Sequence, residues 1–301
     1  MRKFLKLWRG NRELECIVSA SIRGVVLKQT IFGVCLGFSL AVAKAGDAPL
    51  PDPQVLRQRL IGSAGKQQKD RENYSCTVHH EEYELNSDGS VKKKQTTFQD
   101  RFFVNGWGVN HVLERDGKPL TKDEAQKEQE RVDKVVKKYS DAKRADKAQQ
   151  EWERQLDVFL KALRFTNGHR EERNGRSLVV YDLSRDPSFH PQKVEERFAQ
   201  ALTGTIWVDE EVGFPQELKL QTDRDVRIAA GVANLHKGFQ LHLLWQRQPD
   251  GVWLTKVAEG SGDARALFLR QRFRFHEEMD QCHLFSVNTQ QKIQEPKNLP
   301  R

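Results

Sequence analysis

Apolar residues along this chain recur with a period of about 3.6 in some stretches and of 2 in others, and the switches between the two mark its elements. Val55, Leu56 and Leu60 share one face of a helix predicted from Pro53 to Ala64, with Gly65 as its stop. From Asn73 the period is two. Strands from Asn73 to Leu85 and from Val91 to Val104 flank Asn86-Ser87-Asp88-Gly89, whose Asp-Gly pair is a hairpin signal. A third strand, Val109 to Glu114, runs into the turn Arg115-Asp116-Gly117.

The pattern then becomes helical, and Thr121 to Leu163 contains neither Gly nor Pro. Thr121 with Glu124 forms a capping box. Val132, Val136, Tyr139, Ala142, Ala145, Trp152, Leu156, Phe159 and Leu163 fall mostly on one stripe. The reading is one long helix or two in line, a solvated excursion anchored at its Trp152 to Leu163 end.

Beyond Leu163 the strands return. Arg164 to Glu172 and Ser177 to Ser184 flank Asn174-Gly175; a short helix is expected over Val194 to Leu202, and strands over Gly204 to Val208 and Gln216 to Thr222. The clearest alternation sets Phe239, Leu241, Leu243 and Trp245 against Gln240, His242 and Gln246. Pro249-Asp250-Gly251 turns this strand into Val252 to Ala258, and the last strands are Arg265 to Glu277 and Gln281 to Val287. Short connections between so many strands require antiparallel pairing. The fold class is therefore α+β, one large curved antiparallel sheet with the helices at 53–64 and 150–163 as its lid and a long charged helical insertion at 121–163.

The first 45 residues change the compartment. Arg2, Lys3, Lys6, Arg9, Arg12, Arg23 and Lys28 precede the uncharged run Ile31 to Ala43, and Ala43-Lys44-Ala45 has the small-x-small shape of a cleavage site before Gly46. This is a signal peptide, with cleavage between Ala45 and Gly46 and a single domain over 46–301. The basic region is long and holds Glu13 and Glu15, which a start near Val25 to Leu27 would remove. The run is short of the roughly 20 apolar residues of a membrane anchor. Cys35 lies inside it rather than closing it, which argues against a lipoprotein. The expected location is the periplasm or the exterior.

Cleavage also changes the charge. The whole chain has 50 Lys and Arg against 42 Asp and Glu; the leader holds 8 and 2 of these, leaving 42 against 40. The mature protein is nearly neutral, so the net charge of the whole chain gives no ground for nucleic-acid binding. Of the four cysteines, only Cys76 and Cys282 remain. In an oxidising compartment they form either one disulfide tying the first strand to the last or two separate thiols.

No catalytic, nucleotide or metal motif is present. His79, His80, Glu81 and Glu82 alternate across a strand and cannot ligate one ion together. His276, Cys282 and His283 share a stretch without the spacing of a zinc helix. Ser261 in Gly260-Ser261-Gly262 is not a nucleophile elbow, and the acids Asp209, Glu210 and Glu211 read as a charged turn. No metal and no cofactor is expected, and no enzymatic activity. The informative residues are aromatic: Phe98, Phe102, Trp107, Trp207, Phe239, Trp245, Trp253, Phe268, Phe273 and Phe275 sit mostly in strands, where they form either a packed core or a ligand wall.

The order helix, long antiparallel sheet, short helices carries Gly204-Thr205-Ile206-Trp207-Val208-Asp209 through Gly213-Phe214-Pro215 into Glu217-Leu218-Lys219-Leu220, with Asp250-Gly251-Val252-Trp253-Leu254 later. In these motifs the chain, from about Gln54 to Val287, resembles the periplasmic lipoprotein carrier and receptor proteins and their sorting relatives, the LolA/LolB-like group. The resemblance implies an incomplete barrel around an apolar cavity, with helices as a lid and an acyl chain as the cargo. The insertion at 121–163 departs from that group. The leading expectation is an exported, non-enzymatic protein holding lipid or lipoprotein acyl chains on the concave sheet face, lined by Phe239, Leu241, Leu243, Trp245, Trp207, Phe273 and Phe275. The alternative is an envelope interaction protein with a solid core, whose charged helix binds a protein partner.

Overall fold

The structure, a computed structural model, describes residues 49–228, 233–266 and 269–284. The leader, the cleavage pair Ala45 and Gly46, and Phe268 lie outside the described residues. Helix α1 (Pro53–Asp70) leads through a short 3-10 turn into strands β1 (Tyr74–Leu85), β2 (Val91–Val104), β3 (Trp107–Arg115) and β4 (Lys118–Pro119). Helices α2 (Lys122–Ser140) and α3 (Ala142–Lys161) follow. Then come β5 (Leu163–Arg173), β6 (Arg176–Arg185), α4 (Val194–Ala199), β7 (Leu202–Asp209), β8 (Pro215–Thr222), β9 (Val226–Ile228) and β10 (Ala233–Leu235). The chain ends in β11 (Gln240–Arg247), β12 (Trp253–Ala266) and β13 (Leu269–Leu284).

The sheet runs β4-β3-β2-β1-β13-β12-β11-β8-β7-β6-β5, with β9 and β10 attached beside β12. Every pairing is antiparallel. β4 and β5 are its two edges, so the sheet is open rather than a closed barrel. Most neighbours follow from hairpins. The pairs β8 with β11 and β10 with β12 skip strands, and the longest-range pair is β1 with β13, where the first long strand meets the last, from Tyr74 opposite Leu284 to Leu85 opposite Arg272.

Two expectations need correction, and one left open is decided. Gly65 does not stop α1, which continues to Asp70. A side chain at Gly65 would stand 3.2 Å from Glu153 Oε1 of α3, so the glycine allows two helices to approach. Of the two readings of the insertion, one helix or two, the structure has two, because Asp141 takes an extended ψ of 105° and caps α3 by accepting from Arg144 N. It is not a solvated excursion. Val132, Val135 and Tyr139 of α2 are buried; Tyr139 stacks on Trp107 with ring centres 5.2 Å apart, and Asn105 Nδ2 donates to Tyr139 O at 2.6 Å. Glu128 of the same helix accepts from Val112 N at 2.8 Å, tying α2 to the sheet.

The end of the chain differs as well. β12 runs on past Ala258, where the expected strand ended, through Gly260-Ser261-Gly262, and β13 is a single strand where two were expected. The glycines keep strand geometry because aromatic rings replace their missing side chains. A Cβ at Gly260 would stand 2.7 Å from the Phe275 ring, and one at Gly262 2.9 Å from Phe239 and 3.0 Å from Phe273.

The main core lies between the helices and one face of the sheet. Leu56 and Leu60 of α1 and Trp152, Leu156 and Leu160 of α3 bury against Tyr181, Ile206, Leu218, Leu243, Trp245 and Trp253. A smaller cluster, Tyr74, Cys76, Val78, Val252, Leu254 and Met279, seals the β1 to β13 junction.

Candidate functional site

Register fixes which expected lining residues share a face. Residues directly opposite one another point the same way. One row reads Leu183, Gly204, Leu220, Leu241, Gly260, Phe275; the next reads Tyr181, Ile206, Leu218, Leu243, Ala258, Glu277. Phe239, Leu241, Leu243, Trp245, Phe273 and Phe275 therefore lie on the helix-covered face. Trp207 does not. It pairs with Glu217, one residue out of step with Ile206 and Leu218, and points to the opposite face. There its indole Nε1 donates to Glu171 at 3.1 Å, and Arg173 and Lys219 lie over the ring at 4.9 and 5.2 Å. A one-residue offset decides the face of every strand residue, and Ile206, Trp207 and Val208 are all apolar, so alternation could not tell the two faces apart there.

The six remaining residues divide again. Leu243 and Trp245 are core, packed under α1 and α3. The space left there is about 50 Å³, lined by Leu60, Leu156, Phe214, Leu218 and Trp245 among others. Small-molecule sites enclose roughly 300 to 1,000 Å³, so this gap is a packing defect and not a cargo chamber. Phe239 is buried, its ring against Phe198 of α4 and Phe273. Leu241, Phe273 and Phe275 are half-buried. They form an apolar strip along β11 to β13, between the part of the sheet where α2 packs on β2 and β3 and the part where α3 meets β5.

Next to the strip lies a buried ion pair. Arg101 Nη1 contacts Glu277 Oε1 at 2.9 Å, Arg101 Nε donates to Asn110 at 2.6 Å, and His80 Nδ1 is 3.5 Å from Glu277. Burial pushes the Glu277 carboxyl up, but the Arg101 guanidinium and His80 outweigh it and hold it down at about 2. Arg71, also buried, donates through Nε to Trp253 O; burial first and then Arg101 bring its guanidinium down to about 9.

The opposite face is polar. Across it run Thr205, Lys219, His242, Glu259, His276 and Glu81 in one row. His242 sits between Glu217 and Glu259 at 2.9 Å from each, and His276 lies 3.1 Å from the other Glu259 oxygen. Glu259 is held below the usual carboxylate range, first by its bond to His242.

The histidine groups behave as alternation requires. His79 meets the Phe98 ring at 4.9 Å while His80 turns to Glu277 on the other face, and Cys282 is bonded to Cys76. Among the described residues no group of three His, Cys, Asp or Glu could hold a metal ion. The acids after β7 are tied to arginines: Asp209, fully buried, to Arg176, Glu210 to Arg170 and Glu211 to Arg176. Sequence reasoning found this charged turn but not its partners, which lie more than 30 residues away. Among the described residues no helix is long and apolar enough to cross a membrane.

No protein-family model matches the sequence, and no curated protein does. Among solved structures the chain is similar to a putative outer membrane lipoprotein-sorting protein domain from Vibrio parahaemolyticus, at 11% identity and a TM-score of 0.30 over 79% of this chain and 92% of that one. It is similar to a DUF1329 family protein from Desulfovibrio piger, at 11% identity and 0.31 over 79% and 95%. It is also similar to a chain of the Pseudomonas aeruginosa MucA/MucB complex, at 11% identity and 0.25 over 77% and 95%. The fold is described by its own sheet order and register.

Proposed function

We propose that this is an exported, non-enzymatic binding protein that lays an acyl chain of a lipid or lipoprotein along the strip formed by Leu241, Phe273 and Phe275. The observation that supports the reading is that these three neighbouring apolar side chains are only partly buried, beside a core closed by α1 and α3. Each methylene withdrawn from water onto such a strip gains about 0.8 kcal/mol. The cargo lies on the sheet between the two helical covers, not beneath them, where only about 50 Å³ remains.

The test is purification of residues 46–301 from an oxidising compartment without detergent, followed by native mass spectrometry and uptake of a fluorescent fatty acyl probe. Near-stoichiometric lipid, lost in Phe275→Ser and kept in Trp207→Ala, is the expected result. A ligand-free protein that takes up neither phospholipid nor lipopeptide sinks the proposal. It would leave the second reading, a protein-binding module of the envelope, which the filled core under α1 and α3 favours.

A further inference from the structure

Away from the strip, the start of β1 and the end of β2 enclose a hollow of about 330 Å³. Glu72, Ser75, Asp100, Phe102, Phe103 and His111 line it, with Tyr74 at its side. Asp100 stands directly opposite His111, and Ser75 opposite Phe102, so register brings these side chains to one face from three strands.

Three of their polar groups make no hydrogen bond in a protein where comparable groups are engaged, although His111 lies near enough to Glu128 to help lower its carboxyl. Elsewhere Glu171 meets Arg173 and Trp207, Glu210 meets Arg170, and Asp263 meets Arg270 and Arg272. In the hollow, the Asp100 carboxylate, the His111 ring and the Ser75 hydroxyl have no hydrogen-bond partner among the described residues. Ser75 is only 8% exposed. Its hydroxyl oxygen keeps solvent contact and is free to pair with a ligand. Glu72 accepts from Asn105 N at 3.3 Å through one oxygen.

We infer that this hollow is a binding site for a ligand carrying an ammonium or guanidinium group on a short apolar stem. The lining contributes two carboxylates and no Lys or Arg, which disfavours an anion. An ammonium has three donors and no acceptor, matching acceptors on Asp100, Glu72 and Ser75, and the Phe102 ring, on the same face as Asp100, attracts a cation and packs on its stem. A neutral apolar ligand would desolvate Asp100 with nothing to pair it. Nothing here amounts to a hydrolytic triad, since no hydrogen bond joins Ser75, His111 and Asp100. The group is supplied either by a Lys or Arg side chain of a partner polypeptide or by a free amine. The site is separate from the acyl strip and stands or falls without it.

The test follows backbone amide resonances of residues 72–75, 100–103 and 111 in the exported chain during titration with N-acetyl-lysine methylamide, N-acetyl-arginine methylamide, 1,5-diaminopentane and, as neutral control, N-acetyl-norleucine methylamide. The inference expects saturable shifts with the cations alone, weakened by added salt. Asp100→Asn should weaken binding about tenfold or more, Asp100→Glu should restore part of it, and both should melt like the parent. Tighter binding of the amino-acid amides assigns the site to a polypeptide, and tighter binding of the diamine assigns it to a free amine. No saturable shift, equal binding of the norleucine control, or unchanged affinity in a folded Asp100→Asn protein overturns the inference.

Discussion

Breaking the bond between Cys76 and Cys282 should cost this protein a large part of its stability. The two residues are 206 positions apart, their Cα atoms are 4.1 Å apart, and Cys76 is 1% exposed. In the chain-entropy account, closing a loop of that length lowers the freedom of the unfolded chain by an amount worth about 5 kcal/mol. Domains are typically stable by about 5 to 15 kcal/mol, so the loss takes a third or more of the total. The native state loses little, because β1 and β13 stay paired along most of their length. The assay is urea unfolding of the oxidised protein, the reduced protein and Cys76→Ala/Cys282→Ala. Reduced protein keeps both sulfurs, so it separates the cross-link from the packing of Cys76. With a slope of about 2 to 3 kcal/mol per M, both reduced and substituted protein should unfold about 2 M earlier. Midpoints agreeing within about 0.2 M would refute the reasoning, as would two free thiols in the oxidised protein.

Three further outcomes are expected. Because Glu277 is depressed to about 2 in the folded protein against an ordinary 4.5, its contribution is complete above about pH 4.5 and drains away as pH falls toward 2. That contribution is about 3 kcal/mol, so Arg101→Met should destabilise the protein by about 3 to 5 kcal/mol at neutral pH and flatten the acid limb of melting temperature against pH; an unchanged limb rejects the pairing. Gly260→Val should lower stability by about 2 kcal/mol or more by chemical unfolding, since its Cβ would meet the Phe275 ring and Gln240 O at 2.8 Å; a neutral effect means the strand can shift. Tyr139→Ala should cost about 3 kcal/mol if α2 is packed as described, whereas a solvated helix would lose less than 1.

How much was legible depended on how far a feature reaches along the chain. The hairpins Leu85 to Val91 and Arg173 to Arg176 were fixed by Asp88-Gly89 and Asn174-Gly175, because a tight turn is a local demand for positive φ, which Gly89, Asn174 and Gly175 adopt. The alternation from Phe239 to Trp245 identified a face correctly for the same reason. The extension of β12 through Gly260 was hidden, since what stabilises it is Phe275 on the neighbouring strand. The polar residues of the hollow carried no motif, because Ser75, Asp100 and His111 belong to three different strands.

By itself, then, the sequence determined the α+β class, the antiparallel pairing, the cap of α2 at Thr121 and the pair of cysteines available to bond. These rest on short-range periodicity, turn geometry and capping, which are complete within a few residues. Only the tertiary structure decided that β13 closes on β1, that Trp207 faces away from the core while Trp245 lies within it, that α2 packs on Trp107, and that the space beneath the helices is filled. Each of these depends on strand register and on the volume left between elements far apart in sequence, and a shift of one residue in register would have reversed the faces.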